Sequence, residues 1–418
     1  MQSFDVVIVG AGMVGLALAC GLRDCGMRIA IIENSPLQHQ FDSQQPPSLR
    51  VSSINAASQK LLYYLGVWQT IVQKRLCSYQ KIEVWQQDTF SQIKFDAKDH
   101  YLSGLGYIIE NLIIRGSLWQ QAKSSTDITL LTDNRLEKII WGENEVFMTF
   151  DNEEMLTARL VVGADGAKSW LRQKADIPIS FWDYEHTALV ATIRTEMPHM
   201  RTARQSFYND SILAFLPLYD PYLCSIVWSL PTMQARRGLN LKVSVFEKEL
   251  SVALDMRLGF CQLISERQIF PLIGQYARNF AGQRIALLGD AAHVIHPLAG
   301  QGVNLGFMDV AELIGQLRRL NATGKDIGQY LYLQSYERKR KYRAVLMLAS
   351  MQGFRKLFDG NNPIKKMIRD VGLRLANTLP GIKPQLLSYA LGAHDMPEWL
   401  AKVRTNSSEI VNLSVLSY

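Results

Sequence analysis

Two stretches of this chain carry residues whose types and spacing suit the binding of a phosphate-bearing ligand. The first is Gly10-Ala11-Gly12-Met13-Val14-Gly15, a G-x-G-x-x-G run followed further on by Glu33. Gly10 permits a tight turn, Gly12 lets the backbone approach a pyrophosphate, and Gly15 lets helix and strand pack closely. Glu33 offers a carboxylate to ribose hydroxyls. The second stretch, Gly289-Asp290-Ala291-Ala292-His293, runs on through His296, Pro297 and Gly300 to Gly302-Val303-Asn304. Asp290 ends a β-like run, where its carboxylate can bind the hydroxyls of an extended polyol. The N–H groups around Gly302, Val303 and Asn304 open a helix, whose dipole favours negative charge beside them.

These residues need elements to hold them. FDVVIV before Gly10 is a short apolar β-branched run, expected as a buried parallel strand. A helix is expected over Met13–Cys25 and a second strand over Arg28–Glu33 (RIAIIE), so glycines, helix N-terminus and acid fall in the order of a dinucleotide-binding unit. RIALLGD and NLGFMDVAELIGQLRRL give the second signature a strand and an amphipathic helix of its own. That unit alone does not separate NAD from FAD. A cofactor long enough to span both signatures does, with ADP at Gly12, a ribityl chain at Asp290 and an isoalloxazine ring at Gly300; the plainer alternative is a tight turn packing a helix on a sheet. A third motif, ARLVVGADGAKSWLR, places Gly163, Asp165, Gly166, Ser169 and Arg172 after another strand. Arg50, just after the loop Ser35–Ser48, puts a cation where it can meet a pyrophosphate or ring edge.

Composition limits the classes. The chain has 418 residues, of which 48% are hydrophobic and 20% charged, as in an ordinary globular protein with room for two interwoven domains. Five cysteines with no C-x-x-C suggest neither a disulfide framework nor a zinc site, and point to reduced thiols in a cytoplasmic setting. The N-terminus reads as a strand and not a signal peptide, and no run reaches the apolar length of a membrane span. The net charge of +7 sits in the tail, because residues 335–418 hold fourteen Lys/Arg against six Asp/Glu. Nothing suggests a nucleic-acid partner.

The order G-x-G-x-x-G…E, R-x-S-x-x-N, G-A-D-G-x-x-S-x-x-R and G-D-A-A-H-x-x-x-P-x-x-G-Q-G-x-N resembles the FAD-dependent aromatic hydroxylases of the para-hydroxybenzoate hydroxylase type. GMVGLALACGL, SLRVSSINAAS, LGYIIEN and HPLAGQGVNLGFMDV make the chain similar to the ubiquinone-biosynthesis monooxygenases, nearest their 2-polyprenylphenol 6-hydroxylase branch. The resemblance implies an α/β fold: a Rossmann-like FAD-binding domain (1–175 and 276–355), an inserted antiparallel substrate sheet (176–275) and a helical C-terminal region (356–418). It implies FAD as cofactor, with Gly10, Gly12, Gly15 and Glu33 on the ADP part and Arg50 near the pyrophosphate. Asp290 then meets the ribityl chain, and Asn111, Pro297, Gly300, Gly302, Val303 and Asn304 lie at the flavin. Asp165 would serve NAD(P)H or FAD contacts. NAD(P)H would reduce the flavin, O2 would form a C4a-hydroperoxide, and an electron-rich ring, here a prenylated phenol, would take up the distal oxygen.

No metal cluster and no nucleophile triad is expected, since the cofactor carries the hard step. His296, and less so His293, is a candidate general base, with a structural role as the alternative. In the strand-like YLCSIVWSLP, Tyr222, Cys224, Ile226, Trp228 and Leu230 alternate with Leu223, Ser225, Val227 and Ser229, so one face is expected to line an apolar pocket unless its aromatics are simply core. The pattern Ile364, Met367, Ile368, Val371, Leu375 and Leu379, with Lys365, Lys366, Arg369 and Arg374, is a basic amphipathic helix. It suits either the anionic inner face of a membrane or docking on the protein's own core. Partnership with other ubiquinone-biosynthesis proteins and self-association stay open. An isoprenoid-chain reductase and a non-catalytic flavin-bearing subunit are the alternative functions; a halogenase is disfavoured because W-x-W-x-I-P is absent.

Overall fold

The strand β1 (Gln2–Val9) sits at the centre of the first sheet, as its fully buried Val6, Val7 and Ile8 require. The computed structural model that shows this describes residues 1–35, 41–86, 92–208, 210–295, 302–358 and 382–404. β1 pairs in parallel with β2 (Ile29–Glu33) on one side and with the strand Met155–Gly163 on the other. Met155–Gly163 pairs in parallel with Ile285–Leu287, and β2 with Ile128–Thr132. In register, Val9 faces Gly163 and Gly163 faces Leu287. The three strands that lead into the three motifs are therefore neighbours, and their carboxyl ends open on one edge. Parallel α/β sheets bind ligands at that edge.

α1 (Met13–Leu22) follows the first glycine motif and buries nearly its whole length, because the helices Asn111–Lys123 and Gly302–Ala322 pack against it. A Cβ on Gly21 would meet the Ile314 side chain at 2.0 Å, so small residues set the distance between α1 and its neighbour. α1 ends before the expected Cys25. Asp24 and Gly26 both take left-handed conformations (φ +58° and +71°) that turn the chain back toward β2.

The second sheet runs, in spatial order, through strands 293–294, 268–277, 179–195, 223–231, 211–217, 202–208, 81–86 and 92–96. Its neighbours are antiparallel except for Thr202–Tyr208 and Lys81–Gln86, which are parallel. The expected division at residue 175 therefore needs correction. Lys81–Gln86 and Gln92–Asp96 come from the first part of the chain but belong to the second sheet, and so does His293–Val294 from the later part. Trp85 explains the N-terminal pair: it is buried among Leu189, Leu213 and Phe215 of that sheet, a partnership local patterning cannot reveal. A three-stranded sheet, Val51–Ile54 with Gly106–Glu110 and Cys77–Tyr79, is built from the stretch between β2 and Ile128–Thr132 and carries Arg50 and Asn111 at its strand ends.

Towards the C-terminus the helix Tyr330–Phe358 packs on Gly302–Ala322, and Ile382–Ala390 and Glu398–Ala401 are helical. The amphipathic pattern between Pro363 and Pro380 lies outside the described residues. Among the described residues, no helix is long and apolar enough to cross a membrane.

Candidate active site

The carboxyl edge of the first sheet opens into two adjoining cavities. One, of about 440 Å³, is walled by Gly10, Gly12, Glu33, Arg115, Arg135 and Asp165, among others. The other, of about 570 Å³, has Gly12, Arg50, Asn111, Gly289, Asp290, Gly302 and Val303 on one wall. Gly12, Ala164 and Gly166 border both, so the two read as one trough along the sheet edge.

The glycines divide by what a side chain would meet. Gly10 has φ +107°, and a Cβ there would lie 2.5 Å from the Ala164 carbonyl oxygen. At Gly15 it would lie 2.0 Å from the Gly10 carbonyl oxygen, which is the close packing of α1 onto the loop. At Gly12 and Gly302 a Cβ would meet no atom of the described residues within 4 Å, and both glycines border the larger cavity. The space beside them is thus open to a ligand, with the N-terminus of α1 directed at it.

Glu33 ends β2, and its Oε2 accepts a hydrogen bond from the Ala11 N–H at 2.9 Å. Arg115 lies 3.5 Å from the same oxygen and donates through Nε to the Ala11 carbonyl at 2.9 Å. Asp165 accepts from the Leu171 N–H at 3.1 Å through Oδ2, capping the short helix that follows. Its Oδ1 is buried with no hydrogen-bond partner among the described residues, and the residue borders the smaller cavity. Such an orphaned acceptor fits a ligand hydroxyl or amide.

Asp290 opens onto the larger cavity, where solvent reaches it, yet protein surrounds it on its other sides. That desolvation raises its carboxyl above the usual range, against the pull of His293 and Arg50. The Arg50 guanidinium stacks on the Phe270 ring, 5.1 Å from its centroid. Asn111 accepts from the Ser52 hydroxyl at 2.7 Å, and its backbone N–H bonds the Arg50 carbonyl at 3.0 Å. Asn304 is buried, and its amide reaches away from the cavity: Nδ2 donates to the Ser53 carbonyl at 2.7 Å and Oδ1 accepts from the Asn55 N–H at 3.1 Å. It clamps the helix Gly302–Ala322 to the R-x-S-x-x-N strand. His293 is buried on Asp309, with Nε2 at 2.6 Å from Oδ2. His296, Pro297 and Gly300 lie outside the described residues.

The FAD binding domain family model matches residues 3–350, most of the chain. A 3-demethoxyubiquinol 3-hydroxylase of Escherichia coli is 35% identical over 94% of this chain and 99% of its own length. The chain belongs to the FAD-dependent monooxygenases. The mitochondrial ubiquinone biosynthesis monooxygenase COQ6 of Homo sapiens is 30% identical over 93% of this chain and 90% of its own. Among solved structures, p-nitrophenol 4-monooxygenase PnpA of Pseudomonas putida matches with a TM-score of 0.75 at 16% identity, covering 94% of this chain and 99% of that one. At that identity the match speaks for the fold alone. The bacterial relative is a 3-hydroxylase, so its name does not carry the 6-hydroxylase branch that the motifs resemble.

In this monooxygenase the trough has room for FAD, with open space beside Gly12 and the carboxylates of Glu33 and Asp290 on its walls. One residue, Arg115, escaped the sequence reading, and another, Arg172, entered it without a role. Arg115 stands one helical turn after Asn111, on the same helix face, and that spacing was the signal for it. Arg172, noted only as part of a motif, is buried and joins two motifs, donating to the carbonyls of Ala291 and Ala167 at 2.9 Å each.

The strand Leu223–Pro231 settles which of its faces does what. Cys224, Ile226 and Trp228 pack with Phe246 in a core under the helix Val243–Ala253, so the aromatic face is core. Val227, on the opposite face, borders the larger cavity together with Ala188, Val190, Phe270 and Leu272.

Proposed function

We propose that this enzyme hydroxylates the aromatic ring of a polyprenylphenol, with NAD(P)H and O2, in ubiquinone biosynthesis. The observation that carries this reading is the make-up of the larger cavity. One wall is the cofactor-side set of Gly12, Asp290, Gly302 and Val303; the facing wall is the apolar set of Ala188, Val190, Val227, Phe270 and Leu272. The chemistry supplied by bound FAD is activation of O2 and delivery of one oxygen atom to an electron-rich ring, the second leaving as water.

The residues of the chain bind, orient and exclude water. Gly12 and the N-terminus of α1 would seat the pyrophosphate, Glu33 the ribose, Asp290 the ribityl chain and Gly302 with Val303 the ring edge. The apolar wall would hold a phenol ring against that edge and keep water from the reacting atoms. Arg50 and Asp290 are the charged side chains that border this cavity among the described residues, and Arg50, held on Phe270, is placed to orient the ring. We assign the first sheet to the cofactor and the second to the substrate. The relatives named for ubiquinone biosynthesis, at 30–35% identity over nearly full length, support the substrate class. A cytoplasmic setting accords with five free cysteines, of which burial pushes Cys20 up to about 12 and Cys77 and Cys261 up to about 11.

The test is NAD(P)H oxidation by FAD-loaded protein with a short-chain 2-prenylphenol, with and without O2, followed by product mass and NMR. An O2-dependent gain of one oxygen on the ring supports the reading, and NMR then gives the carbon. A reduced prenyl chain without O2 consumption, or no stimulated oxidation across several prenylphenols, would replace it with the reductase or the non-catalytic reading.

A further inference from the structure

Beneath the flavin-side wall lies a chain of buried charges that the function above does not use. Asp309, fully buried on the helix Gly302–Ala322, accepts the Gly289 N–H at 3.0 Å and meets His293 Nε2 at 2.6 Å, both through Oδ2. Its Oδ1 accepts from Arg340 Nε at 2.6 Å. Arg340, 2% exposed, donates also to the Leu305 carbonyl at 3.2 Å and makes a two-pronged pair with Asp395 at 2.7 and 3.1 Å. The chain of contacts thus runs from the residue beside Asp290 to a turn near the C-terminus. Gly289 itself has φ +53°, lies against Val14 and opens the single 3-10 turn Gly289–Ala291 that carries Asp290.

The same C-terminal turn also touches the start of the helix Ala56–Tyr64. Gly392, at φ +76°, sits where a Cβ would come within 2.6 Å of the Asn55 amide nitrogen. The Leu391 carbonyl accepts from the Ala57 N–H at 3.2 Å. Asn55 is the residue whose backbone N–H holds Asn304. Trp399 seals the turn against the helix Gly302–Ala322, donating to the Ala311 carbonyl at 3.0 Å and lying 2.6 Å from a Cβ built on Gly315.

We infer that the C-terminal turn Leu391–Asp395 is a positioning element of the flavin site, with Asp395 acting through Arg340 and Asp309 on the Gly289–Asp290 loop. Asp395 touches neither cavity. It completes the partners of Arg340, which in turn hold Asp309 in the one orientation that serves both Gly289 and His293. Partners at this remove tune a site by orienting the groups that do touch the ligand. The inference rests on the FAD assignment, and a wild-type protein that bound no FAD would sink that assignment and leave this one without an object.

The experiment compares full-length wild type, Asp395→Asn and Asp395→Glu. FAD affinity is measured by fluorescence titration of the apoprotein, the flavin environment by visible circular dichroism and reduction potential, and global stability by thermal unfolding of the apoprotein. Asp395→Asn keeps the size and one acceptor but removes the charge. It is expected to raise the FAD Kd about tenfold, the lower end for loss of an orienting partner, and to alter the flavin dichroism, with Asp395→Glu restoring most of both. An apoprotein destabilised by Asp395→Asn whose flavin dichroism, potential and FAD affinity match wild type would make the turn a mere brace and overturn the inference. If Asp395→Asn fails to fold, Arg343→Gln, which removes a half-buried partner of Asp395 at 3.3 Å, provides the milder form of the same comparison.

Discussion

Gly12 and Gly15 belong to one motif, and the structure predicts opposite outcomes for the same substitution in them. Gly12 precedes α1 with φ −74° and ψ 178°, a conformation alanine adopts freely, and a Cβ there would meet no atom of the described residues within 4 Å. Gly12→Ala gains about 0.4–1 kcal/mol from a less flexible unfolded chain. It loses a comparable amount because alanine is the poorer helix N-cap. The apoprotein should therefore unfold within about 1 kcal/mol of wild type. Its added methyl points into the space assigned to the pyrophosphate, so FAD affinity should fall roughly a hundredfold, or about 2.7 kcal/mol. Gly15→Ala would put its Cβ 2.0 Å from the Gly10 carbonyl oxygen, a backbone atom that cannot turn aside. It should destabilise the apoprotein by about 3 kcal/mol, at the upper end for overpacking. Urea unfolding of the two apoproteins and FAD titration of each separate these effects. Wild-type FAD affinity in Gly12→Ala, or wild-type apoprotein stability in Gly15→Ala, would refute the division of roles.

Asp309→Asn removes the charge that balances buried Arg340 and should destabilise the protein by about 3–5 kcal/mol in urea unfolding. Asp309 is held below the usual carboxylate range by His293 and Arg340, against its burial, so its stabilisation is present above about pH 4 and is lost as acid carries the pH down through its folded pKa. Asp290 has the reverse sign, since burial raises it. Asp290→Asn should raise the melting temperature of the apoprotein at pH 7–8, and a gap from wild type that persists below about pH 4, where both side chains are neutral, would contradict that cause. Val227→Phe fills part of the cavity and should raise KM for a 2-prenylphenol about tenfold while leaving FAD affinity unchanged. Trp228→Ala, its neighbour on the core face, should instead destabilise the fold by about 3 kcal/mol, read by thermal unfolding.

By itself the sequence determined the cofactor unit. Glycines at fixed offsets from a buried strand, with Glu33 at the end of the next strand, are a local pattern, because the turn, the helix N-terminus and the strand pair all form within one short stretch. The helix start at Gly302–Asn304 was legible for the same reason. Only the tertiary structure decided what depends on neighbours far apart in the chain. It set strands 2–9, 155–163 and 285–287 side by side, so that three separate motifs open on one edge. It drew Lys81–Gln86 and Gln92–Asp96 into the second sheet, where Trp85 finds its core. It turned Trp228 inward and Val227 to the cavity, although an alternating strand offers either face equally. It also gave Asn304, His293 and Arg340 their partners. A buried hydrogen bond or ion pair is fixed by groups that meet only when the chain has folded, and spacing along the sequence carries no record of them.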